Sequence, residues 1–419
     1  MPIQPDNPEP AHHDVDSMLS RKFGKEVANY FSGSPLNRLG FLRADHNFLS
    51  QAIKHASTSF LLCNELQPLV QPNAKPGKGK LQYVKYDDVK PIIGDDPFEL
   101  SEEDLIQSYD STKYIPQVIF LGIDEKAKGA LSYQGKNLYT GAPYFAVDVT
   151  PREHVKAECE KLIQRLKSEH GYDFGKGRVM DIDPSDAAIY AEARQLLDWN
   201  ARNPYCAACG HKTFSVNAGF KRTCPPTDKA AAAAAEGGSH DRPPCVTRTG
   251  ISNLCFPRTD PTVIMAVVSS DGTKILLGRQ KRWPPYWYST LAGFAEPAES
   301  IEEAVRREVY EEAGILVGRV VIHSTQPWPY PANLMIGAIG QAIPTGETID
   351  LGNDPELDDA KWFSFDEVRE ALRVGTSGLG EDAGPGYKEG GLRLPPSTAI
   401  ANQLMMAVAN GFASGESKM

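Results

Sequence analysis

No stretch of this 419-residue chain is apolar over the length that a membrane-crossing helix needs. Its first residues, MPIQPDNPEPAHHDVD, have neither a basic start nor an apolar centre, so no secretory leader is visible and no membrane partner is expected. Cysteine is scarce and odd in number, at seven, which fits a reducing compartment better than a secreted disulfide scaffold. Excess basic charge is missing too. The formal net charge is −10, which argues against a general polyanion binder but leaves local nucleic-acid contacts open. What the chain does have is 41% hydrophobic residues, enough for real cores, and length for two or three domains.

The densest chemistry lies between Gly293 and Ile315, GFAEPAESIEEAVRREVYEEAGI. Ser300 and Glu303 form a capping box, so a helix is predicted to begin there, and Gly314 supplies its stop. At about 100° per residue, Ile301, Ala304, Val305 and Val309 share one face. Glu308 and Glu312 fall in the middle of that face, and Glu311 lies at its edge. Two carboxylates on an inward face repel each other and resist desolvation. A divalent cation relieves both problems, and Mg2+ favours a few carboxylates together with phosphate oxygens. A solvated surface helix is the alternative, but it would need these acids on the polar side.

Cysteine is concentrated downstream of the middle of the chain. Cys206 and Cys209 form C-x2-C followed by Gly210, and Cys224 comes next. Such pairs suggest a closed, four-coordinate structural Zn2+ site. Cys245 is the favoured fourth ligand, because Cys255 runs directly into the strand-like CFPRTDPTVIMAVV; Cys255 and His240 stay open. A redox role for Cys206 and Cys209 lacks a βαβ context. The insertion between the pairs, with Ala230 to Ala235 and EGGSHDRPP, is expected to be a disordered loop.

Elsewhere the chain punctuates itself. Residues 1 to 30 are expected to form a mobile arm, with His12 and His13 a solvated pair. Helices are predicted over His154 to His170 and Ser185 to Asn200, and SFLLCNELQPLV is predicted to be a strand leading into a turn. TVIMAVVSSDGTKILLGRQ is predicted to fold as strand, turn and strand about Asp271-Gly272. In TQPWPYPAN, Thr325 to Asn333, three prolines stiffen a segment that presents the flat faces of Trp328 and Tyr330. A proline-rich turn that merely packs its tryptophan is the alternative.

Two of these segments carry a family resemblance. Gly293, Glu299, Arg307, Glu308, Val309, Glu311, Glu312, Gly314 and Ile315 match the Nudix box, G-x5-E-x7-R-E-U-x-E-E-x-G-U, where U is bulky and aliphatic. Gln326, Pro327, Trp328, Pro329 and Pro331 match the SQPWPFPxS signature of the NADH pyrophosphatase branch, with Thr325, Tyr330 and Asn333 replacing Ser, Phe and Ser. The chain therefore resembles that branch from about Ser34 to about Ala409, apart from long insertions at 71–113 and 226–244.

The resemblance implies an α+β protein: a Nudix α/β/α sandwich with a zinc ribbon and a β-rich, Nudix-like N-terminal domain. The implied map is an arm (1–30), an N-terminal domain (31–182), a linking helix (183–202), the ribbon with its alanine-rich insertion (203–258), the catalytic domain (259–412) and a tail (413–419). It implies two or three Mg2+ or Mn2+ ions held by Glu308, Glu312, Glu356 and the Ala292 carbonyl. Glu308, Glu311 and Glu312 are the implied catalytic set, with Glu311 or Glu312 handling the attacking water. Gly293, Glu299, Arg307 and Gly314 shape the box, Arg307 by pairing with Glu299. Phe256, Ala292, Gly293, Phe294, Gln326, Pro327, Trp328, Pro329, Tyr330, Pro331, Asn333 and Ala401 are the implied substrate contacts.

The activity implied is hydrolysis of NADH, or NAD, to AMP and nicotinamide mononucleotide. Removal of NAD caps from RNA, and a broader action on ADP-ribose or dinucleoside polyphosphates, are alternatives. A homodimer is implied. The final Ser417-Lys418-Met419 is similar to a peroxisomal address, so peroxisome, reached through its import receptor, is the expected location, with cytoplasm the alternative.

Overall fold

The structure is a computed structural model that describes residues 6–9, 26–72, 79–232, 241–250, 252–353 and 356–411. In the N-terminal half, strands β1 (Ser59–Asn64), β2 (Gln67–Val70), β3 (Tyr83–Val84), β4 (Val118–Asp124), β5 (Leu131–Gln134), β6 (Leu138–Asp148) and β7 (Asp173–Phe174) make a seven-stranded sheet. Its order is β4-β6-β1-β2-β7, with β3 on β1 and β5 on β6. The expected strand and turn at residue 59 is a full hairpin, β1 with β2. Strand β1 also runs parallel to β6 and is covered on both faces. Phe60 and Leu62 enter one core and Leu61 and Cys63 the other, as a period of two requires.

Helices α1 (His46–Lys54), α2 (Tyr86–Ile93), α3 (Glu102–Gln107), α4 (Lys156–His170) and α5 (Pro184–Arg202) accompany this sheet. Leu162 and Leu166 of α4 join the core beneath one face. Helix α5, expected as a linker, is a wall of the domain: Ala187, Ala191 and Leu197 pack with Leu61 and Leu121 in the second core. Its alanines let the helix sit close to the strands. The segment 71–113, which departs from the compact form of the family, carries β3, α2 and α3 within its described residues.

The expected arm over 1–30 needs correction at its end. Asn29 and Tyr30 are fully buried. Asn29 Nδ2 donates to Ser324 Oγ (3.1 Å) and to the Thr325 carbonyl (2.9 Å), and the Tyr30 hydroxyl donates to the Ile182 carbonyl at 2.8 Å. His12, His13 and the tail 413–419 lie outside the described residues. So do 233–240 of the alanine-rich insertion, but Lys229–Ala232 is already helical, in keeping with alanine's high helix propensity.

Strands β8 (Phe214–Val216) and β9 (Lys221–Thr223) form a two-stranded ribbon. The C-terminal half is a six-stranded sheet of β10 (Asp260–Val268), β11 (Lys274–Gln280), β12 (Leu291–Phe294), β13 (Val317–Trp328), β14 (Asn333–Ala342) and β15 (Leu357–Ser364). The order is β13-β14-β10-β11-β15, with β12 on β10, and β10 runs parallel to β14. Helix α6 (Ile301–Ala313) covers one face through Val305 and Val309 against Val263 and Met265. Helices α7 (Phe365–Val374) and α8 (Ile400–Ala409) cover the other through Val368 and Leu404 against Ile264 and Val268. The result is an α/β/α sandwich with α6 lying over β10 and β12.

Candidate active site

Helix α6 starts where its cap dictates. Ser300 Oγ accepts from the Glu303 amide (3.2 Å), and Glu303 Oε2 accepts from the Ser300 amide (2.8 Å). Gly314 ends the helix in the left-handed region, at φ 70°. Ala304, Val305, Val309 and Ala313 are buried, and Glu312 is buried among them at 6% exposure. The Glu308 side chain is 14% exposed and that of Glu311 45%. Burial pushes the Glu308 carboxyl above its ordinary range, while Arg307 opposes the shift.

Arg307 organises these acids. Its guanidinium donates to both oxygens of Glu299 (2.7 and 2.9 Å), to Glu308 (2.8 Å), to Glu311 (3.1 Å) and to the Phe294 carbonyl (2.9 Å). The expected pair with Glu299 is therefore one part of a larger brace, which ties the loop after β12 to the helix. Those bonds hold the Glu299 carboxyl below its usual range. Gly293 completes the cradle. A Cβ there would stand 2.0 Å from Glu308 Cδ, so only glycine admits the carboxylate against the strand.

The remaining expected metal donors approach from the sheet. Ala292 pairs with Ile264 across β12 and β10. Glu356 is exposed immediately before β15, whose Leu357 and Ala360 share a core with Val305 and Val309 of α6. Among the described residues these carboxylates form no tight cluster. The set is an open one of hard oxygen donors, which suits a Mg2+-type ion that also takes ligands from phosphate. The Gly293 cradle, cleared for a carboxylate, fits the same requirement.

A cavity of about 950 Å3 opens on the α8 side of the sheet, the face opposite α6, lined by Ile264, Trp283, Trp287, Trp328, Met335 and Ala401 among others. Trp283 and Trp287 join the cavity without any motif to mark them; the aromatic run KRWPPYWY that holds them is their one signal in the sequence. The rigid segment 325–333 is braced from the N-terminal half. Arg194 Nε donates to the Pro329 carbonyl (2.7 Å), and the Tyr330 hydroxyl accepts from the Val179 amide (2.9 Å). The Arg178 guanidinium lies 5.4 Å from the Trp328 ring, and Arg194 lies 4.8 Å from that of Tyr330. The Tyr330–Pro331 peptide is cis.

Two expected contacts also make hydrogen bonds within the fold. Gln326 lines the large cavity yet is only 1% exposed: its amide donates to the carbonyls of Tyr30 (3.0 Å) and Thr398 (2.9 Å) and accepts from the Ile400 amide (3.0 Å). It clamps the N-terminal arm and α8 onto β13. Asn333 Nδ2 donates to Thr262 Oγ1 (3.0 Å), leaving its buried carbonyl oxygen without a partner among the described residues. Phe256 and Phe294 are exposed. Pro327 lines a second, smaller cavity together with Phe256.

The cysteine question has a geometric answer. The Sγ atoms of Cys206, Cys209, Cys224 and Cys245 all lie within 4.8 Å of one another, with Cys206–Cys245 at 3.7 Å and Cys209–Cys224 at 3.5 Å. A tetrahedron of thiolates around zinc has edges of about 3.8 Å, given bonds near 2.3 Å. Cys255 is buried outside this group. His240 lies outside the described residues.

Comparison with known proteins agrees with this arrangement. A family model for the NUDIX domain matches residues 258–379. One for the NADH pyrophosphatase-like rudimentary NUDIX domain matches 57–199, and one for the NADH pyrophosphatase zinc ribbon domain matches 201–230. The chain is 34% identical over 399 residues to the NAD-capped RNA hydrolase NPY1 of Saccharomyces cerevisiae, covering 92% of this chain and 96% of that one. It is 32% identical over 391 residues to the human NAD-capped RNA hydrolase NUDT12, covering 91% and 73%. Over 266 residues it is 32% identical to the mouse mitochondrial NAD(P)H pyrophosphatase NUDT13, covering 62% and 66%. The chain belongs to the Nudix hydrolases, in the branch that joins an NADH pyrophosphatase-like N-terminal domain and a zinc ribbon to the catalytic fold.

Proposed function

We propose that this protein hydrolyses the pyrophosphate of NADH and NAD, giving AMP and nicotinamide mononucleotide. The observation that carries this reading is the Glu308 carboxylate seated in the Gly293 cradle, on a helix whose acids Arg307 braces against the loop after β12. The relatives' names, NAD-capped RNA hydrolase and NAD(P)H pyrophosphatase, point to the same bond. A water oxygen bonds to one phosphorus as the bridging P–O bond breaks, and each product leaves as a monophosphate.

Glu308, Glu312, Glu356 and the Ala292 carbonyl would hold Mg2+ or Mn2+, which supplies charge neutralisation and a more acidic water when bound. Glu311 or Glu312 orients the water and takes its proton; Glu311 is the more accessible. Arg307 keeps Glu308 and Glu311 in place. Trp328, with Trp283 and Trp287 nearby, offers flat faces to the rings of the dinucleotide. Cys206, Cys209, Cys224 and Cys245 hold one structural zinc. Metal analysis of Cys245→Ser should show zinc lost, and of Cys255→Ser zinc kept.

The test of the activity is product analysis with Mg2+ or Mn2+ across NADH, NAD, ADP-ribose and diadenosine polyphosphates, with Glu312→Gln in parallel. Fastest release of AMP from NADH, abolished in the variant, supports the reading. Equal rates on ADP-ribose would replace it with a broader Nudix hydrolase. NAD-cap removal is a second reading with the same chemistry, favoured by the exposed Phe256 beside an arginine-lined cavity. Two further proposals accompany these. The exposed Val246 and Leu254 suit a homodimer contact, which sedimentation would read as twice the chain mass. The terminal tripeptide directs the chain to peroxisomes, and an unchanged location after removal of Met419 would refute that.

A further inference from the structure

The smaller cavity holds an unexplained acid. It measures about 420 Å3 and is lined by Arg38, Arg43, Glu192, Phe220, Phe256 and Arg258 among others. Glu192, on α5, is 7% exposed, yet neither of its carboxylate oxygens has a hydrogen-bond partner among the described residues. Arg38 comes within 3.4 Å of it as an ion pair. Arg43 stacks on Phe220, 3.3 Å from the ring centre, and its Nε has no hydrogen-bond partner among the described residues. Arg258 is exposed and pairs with no acid among the described residues. A buried acceptor and a buried donor, both unsatisfied and facing one cavity, call for a ligand that both donates and accepts.

Charge and shape narrow the class. Arg38, Arg43 and Arg258 against one glutamate leave the cavity positive, which suits phosphates. Lys221 adds a cation 5.6 Å from the Phe256 ring. The exposed Phe256 gives a base a face to stack on, and arginines interleaved with such a platform are how single strands are held. The carboxylate is the part that phosphate recognition alone does not explain. Carboxylates accept from sugar hydroxyls, and a 2′-hydroxyl is the group by which a protein tells RNA from DNA.

The cavity is also placed for such a strand. Arg258 stands four residues before Thr262, which pairs with Phe294 beside the Gly293 cradle. An extended chain covers that separation in about 13 Å. We propose that this cavity seats the first ribonucleotide beyond the cap of a NAD-capped RNA, with the arginines on its phosphates, Phe256 under a base and Glu192 accepting from a 2′-hydroxyl. The proposal rests on the NAD-directed activity above and deepens it.

The test uses the full chain and three substrates: free NADH, a NAD-capped RNA, and the same capped strand with deoxyribose at the nucleotides after the cap. Free NADH is the reference, so the readout is a ratio of kcat/KM values. Arg258→Ala should lower the capped-RNA to NADH ratio about tenfold and flatten its salt dependence. Wild type should prefer the ribose strand over the deoxyribose strand, and Glu192→Gln should narrow that preference. Equal rates on the two strands in wild type, or unchanged ratios in both variants, would overturn the assignment. A binding arm separates this from failure of the catalytic reading. Anisotropy of a labelled single-stranded RNA carrying a 5′-monophosphate should show weaker binding in Arg258→Ala and tighter binding than its DNA counterpart, even if NADH is not cleaved. Equal affinity of wild type and variant for RNA and DNA would refute the site outright.

Discussion

Each half of the chain turns a glutamate inward from a helix, half-buried Glu308 in one and buried Glu192 in the other, and the two are treated differently. Glu308 on α6 accepts from Arg307 at 2.8 Å, within a brace that also binds Glu299, Glu311 and the Phe294 carbonyl. Glu192 on α5 sits near Arg38 and Arg43 and accepts a hydrogen bond from neither. A third helix, α4, has its acids elsewhere again. Cys159, Leu162 and Leu166 form its buried stripe, while Glu160 and Glu169 face outward. What distinguishes the catalytic half is therefore not its number of acids but their position on the packing face, with a cation donor built in to hold them. The unbraced Glu192 and the outward acids of α4 are the controls that nature has left in the same chain.

The sharpest way to test that contrast is to neutralise one acid of each kind. Glu312→Gln removes a buried carboxylate from the packing face of α6. We expect hydrolysis to fall about a thousandfold, ~4 kcal/mol of transition-state stabilisation, with the melting temperature held or raised. Glu160→Gln on α4 should leave both unchanged. Equal activity of the two variants would show that the inward position of the acid confers nothing.

A subtler break leaves every acid in place. Gly293→Ala sets a methyl 2.0 Å from the Glu308 carboxyl carbon, so either the side chain or the strand must move. A displacement of about 1 Å at a reacting centre costs about a hundredfold in rate. Steady-state kinetics should show that loss in kcat, with the fold intact by circular dichroism. Arg307→Lys keeps the charge but loses the fork that spans Glu299, Glu308 and Glu311, and about a tenfold loss is expected. If lysine restores full rate, charge alone braces the loop and the comparison with Glu192 loses its geometric content.

How much of this was visible in the sequence depends on how local each feature is. The capping box, the Gly314 stop and the inward face of α6 follow from spacing within a single helix, and the structure has all three. The cysteine cluster was legible as well: Cys206, Cys209 and Cys224 from their spacing and Cys245 as the favoured fourth, with Cys255 and His240 left open because twenty residues separate Cys245 from Cys224. Gln326 belonged to a motif, but its use as a clamp between Tyr30, Thr398 and Ile400 joins positions 296 and 72 residues away. No periodicity reports such a contact. Helix α5 reads from sequence as an ordinary amphipathic linker, and only packing against both the sheet and the arm reveals it as a wall. Glu192 was silent for the same reason: its meaning lies in Arg38, Arg43 and Arg258, which approach from two separate segments.

The smallest expected effect concerns stability and tests whether Glu192 is truly unbraced. Burial pushes its carboxyl up from an ordinary 4.5 to about 7, with Arg38 and Arg43 opposing the shift. A folded-state value above the unfolded one means that the native state binds the extra proton between these two limits. Stability from the neutral acid is then full below about pH 4.5 and lost as pH rises through 7. The whole penalty is at most about 3 kcal/mol at pH 8. Glutamine removes the ionisation but leaves a buried amide to satisfy, which returns part of that gain. Glu192→Gln should therefore be more stable than wild type by ~1 kcal/mol at pH 8 and nearly equal to it at pH 5 in urea unfolding. A variant less stable than wild type at pH 8 would mean that Arg38 and Arg43 compensate the carboxylate in full. Glu192 would then be braced like Glu308, by charge where Glu308 is braced by hydrogen bonds, and the difference between the two halves would shrink to the metal cradle alone.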